Sequence, residues 1–126
     1  MQTNRLTYVV DDDSIVQLIC RTVLAKFPVF SPVEVFADGN FALEALQNLP
    51  LPSYIFLDIN MPNLNGWQLL EAMKQEPAWH GVEVFIITSS IDPADEEKAL
   101  QYPQVKAFLP KPITQERITK LLTTLS

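Results

Sequence analysis

Residues 54–58 read Tyr-Ile-Phe-Leu-Asp, an apolar run that ends on a carboxylate and opens into the Asn- and Pro-containing loop Ile59–Gly66. Short apolar runs bounded by turn-forming residues are typical of buried strands. Three further apolar runs end in the same way, before the polar stretches Asp11-Asp12-Asp13, Thr88-Ser89-Ser90 and Lys111-Pro112. If the four strands are parallel neighbours, three carboxylates, a hydroxyl and an ammonium meet at one edge of a sheet. This combination is typical of a phosphoryl-transfer site.

The size and composition of the chain predict one soluble domain that spans residues 1–126. This length is enough for one sizeable core, and a hydrophobic content of 48% is ordinary for a globular protein. The net charge of −6 and the pI near 4.6 argue against binding to nucleic acid or to anionic membranes. The single cysteine, Cys20, excludes an intrachain disulfide and fits a reducing compartment. Because the chain has no signal-peptide core and no apolar run of about 20 residues, we expect a cytoplasmic protein.

Strand-like and helix-like segments alternate along the chain, which favours βαβ units and a parallel sheet. The predicted strands cover residues 6–10, 33–36, 54–57, 82–87 and 105–109, and the predicted helices cover residues 14–27, 41–49, 66–75, 93–102 and 115–125. Ser14 is the predicted N-cap of the first helix, with Gln17 completing a capping box, and Asp92 and Thr114 are the predicted caps of the last two helices. The pattern is (βα)5, an α/β fold with right-handed crossovers and helices on both faces of a five-stranded sheet.

The acidic residues at positions 11, 12 and 58 are an argument for a bound metal ion. Clustered carboxylates repel one another, and a carboxylate attacks a phosphoryl group only if the negative charges of both are offset. A hard divalent cation such as Mg²⁺, which binds oxygen ligands, offsets these negative charges. The sequence therefore predicts Mg²⁺ as the cofactor.

Four motifs occur in a fixed order: Val9-Val10-Asp11-Asp12-Asp13, Leu57-Asp58-Ile59-Asn60-Met61-Pro62, Ile87-Thr88-Ser89 and Pro110-Lys111-Pro112. In this combination the whole chain resembles the receiver domain of two-component response regulators. The resemblance implies a flavodoxin-like, doubly wound parallel sheet with strand order 2-1-3-4-5. It also implies a stand-alone domain without an output domain, which is not an enzyme beyond catalysing its own phosphorylation and dephosphorylation.

The resemblance assigns the phosphoacceptor and the metal ligands. Asp58 would accept the phosphoryl group and also bind the metal ion. Asp12 would bind Mg²⁺ directly, Asp11 would bind it through water or support its neighbour, and the backbone carbonyl of Asn60 would be a further ligand. A structural alternative for the acidic run is stabilisation of the helix N-terminus, which we expect for Asp13.

The resemblance also assigns the residues that respond to phosphorylation. Lys111 would pair with the phosphoryl oxygens, and the bond between Lys111 and Pro112 matches a site where the family usually has a cis peptide. Thr88 would donate its hydroxyl to the attached phosphoryl group. Phe108 would be the switch aromatic, with a plain core residue as the alternative. Side chains at Asn60 and Ser90 would tune hydrolysis of the aspartyl phosphate.

The implied partners are a histidine kinase or a histidine phosphotransfer protein upstream and a protein target downstream, with the chain itself a monomer or weak dimer. The buried stripe of the first helix leaves Ile15 and Leu18 pointing away from the core, next to the acidic pocket. We expect these two residues to form a docking patch for the phosphoryl donor, although scattered exposed aliphatics are common.

Three other classes of protein fit part of the pattern. A flavodoxin-like redox protein needs a Ser/Thr/Gly-rich phosphate loop after the first strand, where this chain has Asp11-Asp12-Asp13. An aspartate-dependent phosphohydrolase would use the spacing of Asp11 and Asp13, but no Thr/Gly turn or cap domain follows. A pseudo-receiver, which binds partners without phosphorylation, usually lacks a key residue, and here all are present. The sequence therefore favours a receiver first, a pseudo-receiver second and a phosphohydrolase third.

Overall fold

The computed structural model describes residues 6–61, 63–89 and 92–125 and contains one five-stranded parallel sheet. The strands are β1 Thr7–Val10, β2 Val33–Phe36, β3 Tyr54–Asp58, β4 Glu83–Thr88 and β5 Val105–Pro110. The α-helices are α1 Ser14–Leu24, α2 Gly39–Leu46, α3 Gly66–Lys74, α4 Pro93–Ala99 and α5 Gln115–Leu125, with short 3₁₀ turns at Pro28–Phe30 and Pro77–Trp79. The strand order is β2-β1-β3-β4-β5. The predicted α/β fold and the strand order implied by the resemblance are confirmed.

Helices cover both faces of the sheet. Alternate side chains of the central strands point to opposite faces, so both faces are apolar and pack against helices. In β3, Ile55 and Leu57 pack into one hydrophobic cluster with α2 and α3, whereas Phe56 packs into a second cluster with α1 and α5. Every residue of β1 is buried. Asp11, placed directly after this strand, lies at the rim of the core and is itself buried.

The start of α1 differs from the prediction. Asp13, not Ser14, is the N-cap, because its carboxylate accepts hydrogen bonds from the N–H groups of Ile15 (2.8 Å) and Val16 (3.4 Å). The predicted capping box of Ser14 and Gln17 is therefore wrong, while the expected role of Asp13 at the helix N-terminus is confirmed.

The starts of α3, α4 and α5 follow the prediction, whereas α2 begins two residues earlier than predicted, at Gly39, and several helix ends differ. Asp92 caps α4 by accepting from the N–H of Ala94, and Thr114 accepts from the N–H of Arg117 at the start of α5. The helices α1, α2 and α4 end at Leu24, Leu46 and Ala99, earlier than predicted, because the following residues form turns whose N–H groups bond carbonyls three residues back.

Gly66 lets the start of α3 approach the end of β3. A Cβ atom at this position would lie 2.6 Å from the main-chain oxygen of Asp58 and 2.7 Å from the Cα of Ile59. The N–H of Gly66 also donates to the carbonyl of Ile59 at 2.9 Å. Because both neighbours are backbone atoms, a side chain here would displace the segment that carries Asp58.

Replacing Gly66 with Ala is expected to lower the free energy of unfolding by about 1 to 3 kcal/mol, because the added methyl group overlaps backbone that cannot move aside. Urea unfolding measures this. Gly81→Ala is the matched control, since a Cβ at Gly81 meets nothing within 4 Å, and its effect should stay within about 0.5 kcal/mol. Equal effects of the two substitutions would contradict the close approach.

No helix within the described part of the chain is long and apolar enough to cross a bilayer.

Candidate functional site

Four strands deliver polar side chains to the carboxyl edge of the sheet. Asp11 follows β1, Asp58 ends β3, Thr88 ends β4, and Lys111 follows β5. Since β1 pairs with β3 and β3 with β4, these residues lie on neighbouring strands. Carboxylate oxygens of Asp11, Asp12 and Asp58 lie within 4.8 Å of one another, with Asp11 and Asp58 buried and Asp12 exposed. The expected convergence of the three carboxylates is present.

Lys111 is the cation of the cluster. Its ammonium lies 2.6 Å from Asp11 Oδ2 and 3.4 Å from Asp58 Oδ1, and its side chain is largely buried. The main-chain N–H of Lys111 donates to the carbonyl of Thr88 at 2.7 Å, which joins the ends of β5 and β4. The lysine is thereby held between the two buried carboxylates.

The electrostatics of the pocket favour a proton or a cation on Asp58. Burial raises the pKa of the Asp58 carboxyl to about 6, with the negative charge of Asp11 as a further cause, while Lys111 and the N–H of Asn60 act in the opposite direction. Burial would lower the pKa of the Lys111 ammonium, but its hydrogen bond to Asp11 and the charges of Asp58 and Asp11 outweigh this effect and raise that pKa. Lys111 therefore stays charged.

The loop between β1 and α1 is fixed by side chains on both sides of the acidic run. Asp11 Oδ1 accepts from the N–H of Asp13 at 2.8 Å, and Gln17 Nε2 donates to the main-chain carbonyl of Asp11 at 2.7 Å. The sequence pattern predicted Gln17 as part of a capping box, whereas in the structure its side chain binds the main chain of Asp11. Its contact with Asp11 spans six residues and orients the acidic loop.

In the loop after β3, buried and exposed side chains alternate. Ile59 and Met61 are buried in the first hydrophobic cluster, and Asn60 between them is exposed at the pocket. The N–H of Asn60 donates to Asp58 Oδ1 at 3.3 Å. Two apolar anchors thus hold the main chain at Asn60 beside Asp58.

Sequence reasoning missed Arg117, which supports the loop that carries Lys111. Arg117 Nη1 donates to the carbonyl of Pro112 at 2.8 Å and approaches that of Pro110 at 3.5 Å. The peptide bond between Lys111 and Pro112 is cis, as the resemblance implied. The signal in the sequence is weak, because an arginine in the first turn of a helix reads as an ordinary surface residue.

The comparisons with known proteins agree with this arrangement. The family model of the response regulator receiver domain matches residues 7–123. The chain belongs to the response regulator receiver domain family. It is therefore a receiver domain of two-component signalling, and the resemblance in its four motifs is confirmed.

Several relatives of this receiver domain are known. A two-component response regulator from Cytophaga hutchinsonii has a structure that superposes with a TM-score of 0.87, at 28% identity and with 98% of each chain covered. An uncharacterized response regulatory protein from Yersinia pestis is 35% identical over 96 residues, which cover 75% of this chain and 38% of the relative.

A protein-glutamate methylesterase/protein-glutamine glutaminase from Geobacter metallireducens is 32% identical over 108 residues, which cover 82% of this chain and 29% of the relative. The receiver domain thus spans well under half the length of these two curated relatives.

The other expected residues occupy distinct parts of the receiver domain. Thr88 is buried at the end of β4, and Phe108 is half-buried on β5, packed against the first hydrophobic cluster. Ile15 and Leu18 on α1 are 67% and 64% exposed. Ser90 lies outside the described residues.

The donor set of the pocket fits a hard divalent cation. Three carboxylates and one ammonium leave a formal charge of −2 in a volume where two of the carboxylates are buried. The oxygen atoms available are carboxylates and main-chain carbonyls, which are the ligands that Mg²⁺ takes in proteins.

Asp58→Asn is expected to stabilise the protein at pH 7.5 in EDTA by about 1 to 3 kcal/mol, because it removes a buried charge. The folded-state pKa of Asp58, about 6, lies above its ordinary value of 3.8. The folded state therefore binds this proton more tightly, and its free energy of unfolding falls as the pH rises through this range. The gain from the substitution should accordingly disappear near pH 4.

Urea unfolding of wild type and Asp58→Asn at a series of pH values measures the difference. Comparing the two proteins at each pH cancels the titration of the groups that do not interact with Asp58. A variant less stable than wild type at pH 7.5 would show that the lost ion pair with Lys111 outweighs the burial of the charge.

Proposed function

We propose that this receiver domain is a phosphoacceptor switch of a two-component phosphorelay, in which Asp58 takes a phosphoryl group from a histidine kinase or a histidine phosphotransfer protein. The observation that carries the proposal is the placement of Asp58: buried at the sheet edge, 3.4 Å from the Lys111 ammonium and in a cluster of three carboxylates. A carboxylate is a competent nucleophile toward phosphorus once the surrounding negative charge is offset.

In the transfer step, a carboxylate oxygen of Asp58 forms a bond to phosphorus while the bond between phosphorus and the donor nitrogen breaks. The donor histidine, which carries a proton on its other ring nitrogen, leaves with the electron pair of the broken bond and becomes a neutral imidazole. Lys111, whose raised pKa keeps it protonated, is close enough to pair with phosphoryl oxygens. Thr88, at the end of the neighbouring strand, supplies a hydroxyl donor.

The metal ion of the proposal is Mg²⁺, with ligands from Asp11, Asp12, Asp58 and the main-chain carbonyl of Asn60. When bound, it offsets the charge of the carboxylates and of the incoming phosphoryl group. Lys111 alone leaves a formal charge of −2, so the pocket accepts a phosphoryl anion far more readily with a divalent cation present.

The proposed response involves Thr88 and Phe108. A phosphoryl group adds nearly two negative charges and three acceptor oxygens, to which Thr88 and Lys111 are drawn. Phe108 is half-buried and pairs with Ile86, two residues before Thr88. The shift of Thr88 would open space into which Phe108 could turn. The surface of α4, β5 and α5 would then change for a downstream protein target.

The remaining parts of the proposal concern the chain as a whole. It acts as a single receiver domain over residues 1–126 in the cytoplasm, as a monomer or weak dimer, and catalyses only its own phosphorylation and dephosphorylation. This chain covers only 29% of the longer methylesterase relative, and the activity named for that relative is not part of the proposal.

Incubation with acetyl phosphate and Mg²⁺ is expected to add one phosphoryl group, detected by intact mass. The adduct should be absent in Asp58→Asn and when EDTA replaces Mg²⁺. Asn has nearly the same shape as Asp, so we expect the variant to fold. Circular dichroism confirms its folded state. Folded wild-type protein that gains no adduct would favour the pseudo-receiver, and an adduct on the variant would exclude Asp58 as the acceptor.

Replacing both Ile15 and Leu18 with Ala is expected to slow phosphoryl transfer from a histidine kinase about tenfold, because two exposed aliphatic contacts with the donor are lost. Labelling by acetyl phosphate should not change, since the small donor needs no docking surface. Leu49→Ala is the matched control, because Leu49 is 87% exposed and lies after α2. Equal loss with both donors would contradict the docking role.

A further inference from the structure

The loop that follows Asp58 is attached to the start of a different helix. The N–H of Gly39, the first residue of α2, donates to the main-chain carbonyl of Leu64 at 3.1 Å. A Cβ atom at Gly39 would overlap that same oxygen, so only glycine allows this approach. The contact joins two loops that leave non-adjacent strands, β2 and β3.

Asp38 strengthens this attachment because its two carboxylate oxygens accept hydrogen bonds from different segments. Oδ1 accepts from the N–H of Phe41 at 3.1 Å and caps α2, whereas Oδ2 accepts from the side-chain amide of Asn63 at 3.3 Å. Asn63 has a φ of 63°, the left-handed conformation that asparagine adopts more readily than most residues. This conformation and the bond to Asp38 together set the course of the loop.

The same loop carries Asn60 and begins at Asp58, so its path decides where two of the expected metal ligands lie. It is held at three places: by Gly66 against the end of β3, by Ile59 and Met61 in the core, and by the contacts with α2. The last of these places consists of hydrogen bonds with another loop and helix, outside the β3–α3 unit.

We propose that Asp38, Gly39 and Asn63 form a clamp that positions the β3–α3 loop, and with it the main-chain carbonyl of Asn60, for a divalent cation. Asp38 and Asn63 are positioning residues in this scheme and do not touch the ion. The inference rests on the proposed function, because it concerns the metal that the pocket would hold. Preorganisation of the loop before binding reduces the ordering cost of coordination.

The clamp can be separated from the helix cap by one substitution. In Asp38→Ser the single hydroxyl oxygen can still cap α2, but no second polar atom remains to bond Asn63. We expect Mg²⁺ to bind about three- to tenfold more weakly to this variant, the change that corresponds to one lost hydrogen bond. The urea midpoint in EDTA should fall only slightly, because the cap is retained and only one hydrogen bond is lost.

The exchange variant Asp38→Asn/Asn63→Asp reverses the donor and acceptor and keeps the net charge. Its Mg²⁺ affinity should return to within twofold of wild type, whereas Asn63→Asp alone should weaken binding by placing two carboxylates side by side. Asp92→Asn controls for charge, because Asp92 also caps a helix at this edge of the sheet through the N–H of Ala94. Its Mg²⁺ affinity should equal that of wild type.

Isothermal titration with Mg²⁺ in the absence of any phosphoryl donor measures all five proteins. Wild-type affinity in Asp38→Ser, or failure of the exchange variant to recover, would overturn the clamp. A lower urea midpoint with unchanged Mg²⁺ affinity in Asp38→Ser would also overturn it, because the carboxylate would then serve only the helix. Wild-type protein that binds no Mg²⁺ would instead remove the proposed function together with the clamp.

Discussion

The site depends on the burial of two carboxylates on neighbouring parallel strands with a single lysine between them. Asp11 and Asp58 are both almost inaccessible to solvent, and like charges at this separation disfavour each other in a medium of low dielectric. Lys111 offsets one of these charges through its contacts of 2.6 Å and 3.4 Å. The negative charge that remains makes the pocket receptive to a divalent cation, and a cation in turn makes it receptive to a phosphoryl anion.

The rest of the fold keeps these three residues in place. The register of β1, β3 and β4 sets the spacing of the strand ends. The loops that leave β1, β3 and β5 are each tied by a contact of their own. Gln17 holds the carbonyl of Asp11, Asn60 bonds to Asp58, and Arg117 holds the carbonyl of Pro112. Each of these bonds fixes main chain beside a charged residue, so the charges are held by geometry that exists before any ligand arrives.

Most of the architecture could be predicted from the sequence, because strands buried on both faces leave strong apolar runs and turn residues separate them. The five strands and the caps at Asp92 and Thr114 follow from local pattern, and the strand order follows from the resemblance. The cap at Ser14 was wrong because serine and aspartate are both good N-caps and only the structure distinguishes adjacent candidates. The supporting contacts of Arg117 and Asn63 could not be predicted, since they join segments through polar side chains that have no local periodicity.

The most direct test of the account is to locate the phosphoryl group on the unmodified chain. Wild-type protein treated with acetyl phosphate and Mg²⁺ is reduced with borohydride, which converts an aspartyl phosphate to homoserine, and its peptides are sequenced by mass spectrometry. The account predicts homoserine at position 58 and intact aspartate at positions 11 and 12. Homoserine at either of those two positions, or phosphate retained on a hydroxyl such as that of Thr88, would contradict it.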